Sequence, residues 1–414
     1  MKDLLKTIIA DQRKLSWNRS FLIRHFPESL VGNQEIVIIS GIRRCGKSTL
    51  LHQIRSAFSE QDFFLNFDDE RLMNFQVGDF QLLHETFLEL FGKQSTFWFD
   101  EIQNVQGWER YVRRLHENGC KVFITGSNAT MLSRELGTHL TGRFARHELY
   151  PFSFREFLSF YNINPSEPGF ISTEGKGELR TFYNDYFNTG GFPQYVSNRD
   201  DNYLRSLYES ILYRDVMARN NLTGGKELKE LIYLLASNVA RPFSNNRLAS
   251  VVGLKNATTV KNYLDFLQDT YLLFAVNKFD YSARKQLQNP RKIYFIDNAI
   301  IRKLGFLFSE EKGRLLENLV FMELMRQGKE IFYFKGKNEC DFVIRDGINI
   351  TGVIQACHSL NGFETREREI NGLLEAMSFF NLEDGLVLTD DTEENFEQTG
   401  KHIKIMPVWK WLLK

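Results

Sequence analysis

Four cysteines in 414 residues, at positions 45, 120, 340 and 357, are too few and too scattered for the paired short spacings of a zinc site or a disulfide framework. That scarcity excludes a disulfide-stapled secreted scaffold and makes the reducing cytoplasm the expected location. An excess of charge of either sign is also missing, because 52 lysines plus arginines face 52 aspartates plus glutamates. Bulk charge therefore gives no argument for a nucleic-acid or membrane partner, and only a local basic patch would supply one. No uncharged run approaches the roughly 18 residues that span a bilayer. The start, Met1-Lys2-Asp3-Leu4-Leu5-Lys6, has no long apolar stretch, so no membrane partner is expected. Repeats and low-complexity tracts are absent as well, which removes solenoid and fibrous readings.

What the chain does have is phenylalanine, 37 residues of it, which predicts aromatic cores. Its length predicts two or three domains. Its most informative stretch is Gly41-Ile42-Arg43-Arg44-Cys45-Gly46-Lys47-Ser48-Thr49, which has the G-x-x-x-x-G-K-S spacing of a P-loop and follows the apolar run Glu35 to Ser40. Glycines at both ends let the backbone curl so that successive N–H groups face phosphate oxygens, and the helix beginning near Lys47 adds the positive end of its dipole. This predicts a triphosphate cradle formed by Gly41, Arg44, Cys45, Gly46, Lys47, Ser48 and Thr49. Lys47 would reach the β- and γ-phosphates, and Ser48 would hold magnesium. Cys45 reads as a small filler, or as an oxidisable thiol if the loop exposes it.

Three further apolar runs, Asp62 to Phe67, Thr96 to Asp100 and Lys121 to Gly126, read as parallel strands buried on both faces. In such sheets ligands sit at the carboxyl ends of strands, where the informative polar residues fall. Asp100 would join the magnesium shell, and Glu101 would orient or deprotonate the attacking water. The bland alternative is a solvated strand end. Ser127 and Asn128 are candidates to touch the γ-phosphate, with Asn128 preferred. Arg143, with Arg146 nearby, is a candidate to reach a neighbouring subunit's nucleotide, which would imply a homo-oligomer. Its alternative is a surface ion pair.

Together, Gly41 to Thr49, Phe97 to Glu101, Ile124 to Asn128, Leu140 to Arg143 and Leu149 to Phe157 resemble a prokaryotic AAA-type P-loop ATPase. More narrowly, they resemble the group that carries a C-terminal restriction-endonuclease-like domain, mostly of unassigned function. The resemblance covers nearly the whole chain. It implies an α/β fold with an ASCE parallel sheet of order 5-1-4-3-2, and it supplies no substrate.

The expected organisation is an N-terminal helical segment (1–34), the ATPase core (35–155), a helical lid and connector (156–225), a winged-helix-like domain (226–290) and the C-terminal domain (291–414). Asn164 to Gly169 is a loop candidate, and Gly190-Gly191-Phe192-Pro193 is a sharp turn best explained by backbone geometry. Within 226–280, a short helix, a turn at Gly253, a longer helix and a strand give the order of a winged helix. Thr258, Thr259, Lys261 and Asn262 would begin its recognition helix, and Arg284, Lys285, Arg291 and Lys292 form a basic stretch, so double-stranded DNA is one candidate partner. Asp265 and Asp269 weaken that charge, which leaves an unidentified protein as the other.

The C-terminal part resembles the PD-(D/E)XK frame, with Glu317 at the helix acid, Asp341 at the strand acid and Gln355-Ala356-Cys357 in place of Glu-x-Lys. That chemistry needs two carboxylates for a hard cation and a lysine, so Gln355 and Cys357 predict a vestigial, non-cleaving site. Cys357 reads as a packed strand residue. Three readings follow for the whole chain: a switch that binds and hydrolyses ATP with Mg2+, an ATP-gated nuclease, or a non-catalytic DNA- or protein-binding regulator of the defence or toxin-antitoxin type.

Overall fold

The computed structural model describes residues 1–14, 22–127, 142–306 and 311–414, which fall into two compact units. The first unit comprises Met1–Tyr150 with Asp269–Tyr271, and the second comprises Pro151–Gln268 with Leu272–Lys414.

In the first unit five strands, β1 (Ile36–Ser40), β2 (Phe64–Asn66), β3 (Thr96–Asp100), β4 (Lys121–Gly126) and β5 (Phe144–Glu148), form one parallel sheet of order β2-β3-β4-β1-β5. This is the expected 5-1-4-3-2 order read from its other edge. Every residue of β1 and β3 is buried, as continuous apolar runs covered on both faces require. The apolar stripe Leu5, Ile8 and Ile9 of the helix Lys2–Lys14 follows helical spacing and joins Ile36, Ile38, Phe97, Phe99, Val122 and Ile124 in one core. The N-terminal helix is thus part of the packing of this sheet. In that core Phe63 stacks on Phe87 at 5.0 Å between ring centroids, while Trp98, outside this cluster, stacks on Phe123 at 4.4 Å.

In the second unit, Ser153 and Glu156 form a reciprocal capping box that starts the helix Phe154–Phe160. The Gly190-Gly191 turn has a physical cause that the sequence did not disclose. A Cβ on Gly191 would lie 2.2 Å from the Phe152 carbonyl, and one on Gly190 would lie 1.8 Å from the Asp297 carboxylate. The Gly191 N–H donates to Asp297 at 2.7 Å, and the Phe152 N–H donates to the Gly191 carbonyl at 2.7 Å.

The helices Lys226–Ser237, Asn245–Val251 and Ala257–Asp269 alternate with β6 (Pro242–Phe243), β7 (Leu273–Asn277) and β8 (Arg291–Phe295), which pair antiparallel in the order β6-β8-β7. The boundary expected at residue 290 falls inside the β7–β8 hairpin. A mixed six-stranded sheet follows: β9 (Glu330–Lys335), β10 (Glu339–Asp346), β11 (Asn349–Ala356), β12 (Asp384–Thr389), β13 (Glu394–Gln398) and β14 (Lys401–Pro407), ordered β13-β14-β12-β11-β10-β9. Three of its strands, β12 to β14, follow the helix Phe363–Phe379. From the β7–β8 connection, Phe279 donates its N–H to the Tyr333 carbonyl at 2.8 Å and packs between Phe332 and Phe380 in this sheet's core.

Candidate functional site

The loop after β1 is shaped by positions that exclude a side chain. Gly41 has φ +154°, and a Cβ there would meet the Leu149 carbonyl oxygen at 2.1 Å, so only glycine fits beside the strand end that follows β5. Arg44 and Gly46 are also at positive φ, and Gly46 leads directly into the helix Lys47–Ser56. Cys45 is fully buried and its thiol is pushed up by burial, so of the two readings given to it the filler describes it. Arg44 is exposed, and Ser48 and Thr49 are half-buried.

The acids of β3 meet this loop. Ser48 donates to Asp100 Oδ1 at 3.1 Å, and Thr125 at the end of β4 donates to the same oxygen at 2.5 Å. Burial, then the charge of Glu101, pushes Asp100 up to about 6 against those hydrogen bonds. Glu101 turns the chain at φ +51°, and its N–H donates to Thr125 Oγ1 at 2.9 Å. Its carboxylate lies 3.8 Å from Lys47 Nζ, which donates to the Ile42 carbonyl at 3.1 Å and is 4% exposed. Lys47, Ser48, Asp100 and Glu101 therefore converge. Ser127 is buried beyond β4, and its hydroxyl has no hydrogen-bond partner among the described residues. Asn128 lies outside the described residues. Arg143 stands on the surface, 2.7 Å from Glu117, which also pairs with Arg113 at 2.9 Å.

The site has members that the sequence reading passed over. The Arg24 guanidinium is buried and donates to the carbonyls of Cys45 (3.2 Å) and Tyr150 (2.9 Å), bracing the loop from behind. Ser40, the last residue before the loop, accepts from Arg146 Nε (3.0 Å) and from the Tyr271 hydroxyl (2.8 Å). Gln103, 6% exposed, donates to the Glu101 carboxylate. Only its place two residues after the acid pair could have marked Gln103. Nothing local marks Arg24 or Tyr271.

In the second unit, Glu317, Asp341 and Gln355 are also brought together, around a group assigned elsewhere by sequence. Lys292 was expected in a DNA-facing basic stretch, but its side chain is 1% exposed. Its ammonium lies 2.9 Å from Glu317, 3.0 Å from Asp341 and 2.8 Å from Glu339. The reason is register: β8 alternates its side chains, and Lys292 and Tyr294 both reach Glu317. Asp341 receives the Ala356 N–H at 3.1 Å, and Gln355 accepts from the Asp341 N–H at 3.2 Å while donating to Glu369. Glu317, Glu339, Asp341, Gln355 and Glu369 line a cavity of about 490 Å³ with Arg314 and Arg368. Burial pushes Glu317 up to about 8, helped by the charge of Asp341 and opposed by Lys292. Cys357 is buried, donates to the Ser359 carbonyl at 3.1 Å, and has a thiol pushed up to about 11 by burial.

Among the described residues no group of three or more His, Cys, Asp or Glu is placed to hold a metal by itself, and no helix is long and apolar enough to cross a membrane. Magnesium at the P-loop asks less of the protein, since it keeps waters and takes oxygens from substrate phosphates. The Ser48 and Asp100 oxygens fit that demand, and the orphan Ser127 hydroxyl fits a ligand beside it.

Residues 33–158 match a protein family described as an AAA domain, and residues 180–311 match a domain of unknown function. The uncharacterized protein MJ1544 of Methanocaldococcus jannaschii is 36% identical, covering 100% of this chain and 96% of that protein. The chain belongs to its family. An uncharacterized protein of Haemophilus influenzae is 30% identical over 92% of this chain and 94% of its own length. Among solved structures, a Thermotoga maritima RuvB variant is similar over 70% of this chain and 93% of that chain, at 16% identity and a TM-score of 0.27. The AAA domain holds the P-loop, the β3 acids and β5, and so supports nucleotide binding by an ATPase-like protein of this family. Neither family match reaches β9 to β14, and a restriction-endonuclease-like assignment there is not supported by them.

Proposed function

We propose that the chain is a magnesium-dependent ATPase acting as a nucleotide-driven switch on double-stranded DNA or a protein partner. The observation that carries this reading is the convergence of Lys47 with Glu101 at 3.8 Å and of Ser48 with Asp100 at 3.1 Å around the glycine-built loop. Ser48 and Asp100 would hold the magnesium, which when bound supplies charge neutralisation of the β- and γ-phosphates. The loop's N–H groups and Lys47 bind the triphosphate, for which Lys47 must give up its bond to Ile42 and its pairing with Glu101. Glu101 takes a proton from water as the water oxygen bonds to the γ-phosphorus. The bond from that phosphorus to the bridging oxygen breaks, and its electron pair leaves on ADP. Ser127 is the buried donor for the γ-phosphate, with Asn128 as its neighbour in sequence. Arg143 would serve an adjoining subunit in a homo-oligomer after leaving Glu117.

The helices and strands of 226–295 support a winged-helix reading. Thr258, Lys261 and Asn262 are exposed at the start of Ala257–Asp269, as phosphate contact asks. ATP hydrolysis measured with and without double-stranded DNA tests the partner. Lys47→Ala should abolish ATP binding, and Glu101→Gln should leave binding intact and stop turnover. Unchanged binding in the first variant, or an unchanged rate in the second, overturns the reading.

One observation favours a second reading, the ATP-gated nuclease. Lys292 brings to Glu317 and Asp341 the ammonium that Cys357 does not provide. Plasmid nicking that depends on a divalent cation and disappears in Asp341→Ala would select it.

A further inference from the structure

Strand β3 ends at Asp100, and the chain reverses through Glu101 into a single tight turn, Ile102–Asn104, which returns residue 103 toward the acid. Gln103 is 6% exposed, and its Nε2 donates to one oxygen of the Glu101 carboxylate. A carboxylate only accepts, so the orientation of the amide is forced: nitrogen faces Glu101. Its oxygen, Oε1, is then left buried with no hydrogen-bond partner among the described residues. Buried acceptors are almost always satisfied, and one that is not marks a place for an absent donor. The surroundings narrow the choice. The other oxygen of Glu101 faces Lys47 at 3.8 Å, and the Glu101 backbone is fixed by Thr125 at 2.9 Å, so the carboxylate is held from two sides beside the phosphate loop. The donor that belongs next to such a carboxylate is water.

We infer that Gln103 is a positioning residue for hydrolysis: its Nε2 aims the Glu101 carboxylate, and its Oε1 accepts a hydrogen bond from the O–H that the attacking water keeps while Glu101 takes the other proton. This rests on the hydrolase reading above. The two hydrogen bonds orient the water for attack on the γ-phosphorus, which Glu101 alone does not do once Lys47 has left its carboxylate for the phosphates. Binding of the triphosphate does not involve the amide.

Gln103→Met keeps the side chain's length and volume and removes the amide, and Gln103→Glu keeps its shape and sets a like charge against Glu101. Steady-state hydrolysis, equilibrium ATP binding and thermal melting of the full chain are compared. Both variants are expected to lose kcat by about 10- to 100-fold with ATP affinity within about twofold of wild type. A role in packing alone would leave Gln103→Met at the wild-type rate. A Gln103→Met kcat within about twofold of wild type, in a wild-type protein that turns over, overturns the inference and leaves the ATPase reading standing. A loss of ATP affinity as large as the loss of kcat also overturns it. If Gln103→Met melts early, Gln103→Glu decides by the same criteria. A wild-type protein that binds ATP without turnover removes the hydrolase reading, and this role with it.

Discussion

Replacing Lys292 by Met retains most of the buried stem and removes one charge from among three carboxylates. The ammonium lies 2.9 Å from Glu317, 2.8 Å from Glu339 and 3.0 Å from Asp341 at 1% exposure. Burial pulls this lysine down, but the carboxylates and Tyr294 pull it up further, and it stays charged. Deleting one partner of a buried ion pair leaves the others unpaired, at a cost of about 3–5 kcal/mol. For a unit of this size that corresponds to a melting temperature lower by roughly 6–20 °C. The sign with pH follows from Glu317, whose folded value is about 8, above that of an unfolded glutamate. A carboxyl raised in this way contributes stability that is fully present below its unfolded value, near 4.3, and lost as pH rises through 8. Without Lys292 the cluster holds its protons more tightly still. The variant's deficit should be smallest near pH 5, where Glu317 is protonated, and largest above pH 8. Thermal melts of wild type and Lys292→Met at both ends of that window measure it, and adding Glu317→Gln should restore part of the loss. A deficit under about 2 °C at high pH, or the same deficit at both, would refute the claim that this ammonium neutralises the cluster.

Ser127→Ala removes a buried hydroxyl that has no hydrogen-bond partner among the described residues. Stability should hold within about 0.5 kcal/mol while ATP turnover falls about tenfold, read from melting and steady-state hydrolysis side by side. Gly191→Ala drives a Cβ to 2.2 Å from the Phe152 carbonyl and should cost about 3 kcal/mol, seen in the denaturant midpoint. Asp297 is pushed up to about 6 by burial, against the N–H groups of Gly191 and Ala299. Its contribution to stability is present below about pH 4 and lost as pH rises through 6. Asp297→Asn, though less stable overall, should flatten that limb of the melting profile.

The phosphate loop and its sheet were legible because their signals are local. A glycine pattern after an apolar run fixes the loop, and three further runs with polar carboxyl ends fix the strands. The strand order 2-3-4-1-5 came with the family resemblance. Lys292 was misplaced because its partners lie 25 and 49 residues further along, and nothing near Arg291-Lys292 announces a carboxylate. Arg24 and Tyr271 escaped for the same reason, since each acts through a distant contact that only the folded chain creates, whereas Gln103 reaches Glu101 only two residues back, through a turn that no residue pattern announces. Arg24 reaches a carbonyl 126 residues away. The turn at Gly190-Gly191 was recognised as backbone geometry, and its cause, the Phe152 and Asp297 oxygens, became visible only in three dimensions.

Phe279, seated between Phe332 and Phe380, and Lys292, sunk between Glu339 and Asp341 of β10 and the helical Glu317, join the β7–β8 hairpin to β9 and β10 at two separate points. The two contacts tie the hairpin that follows the three helices to the strands that carry the carboxylate cavity. A fragment begun at residue 291 would lose the first contact altogether, leaving an open aromatic socket and a bare strand edge inviting self-association.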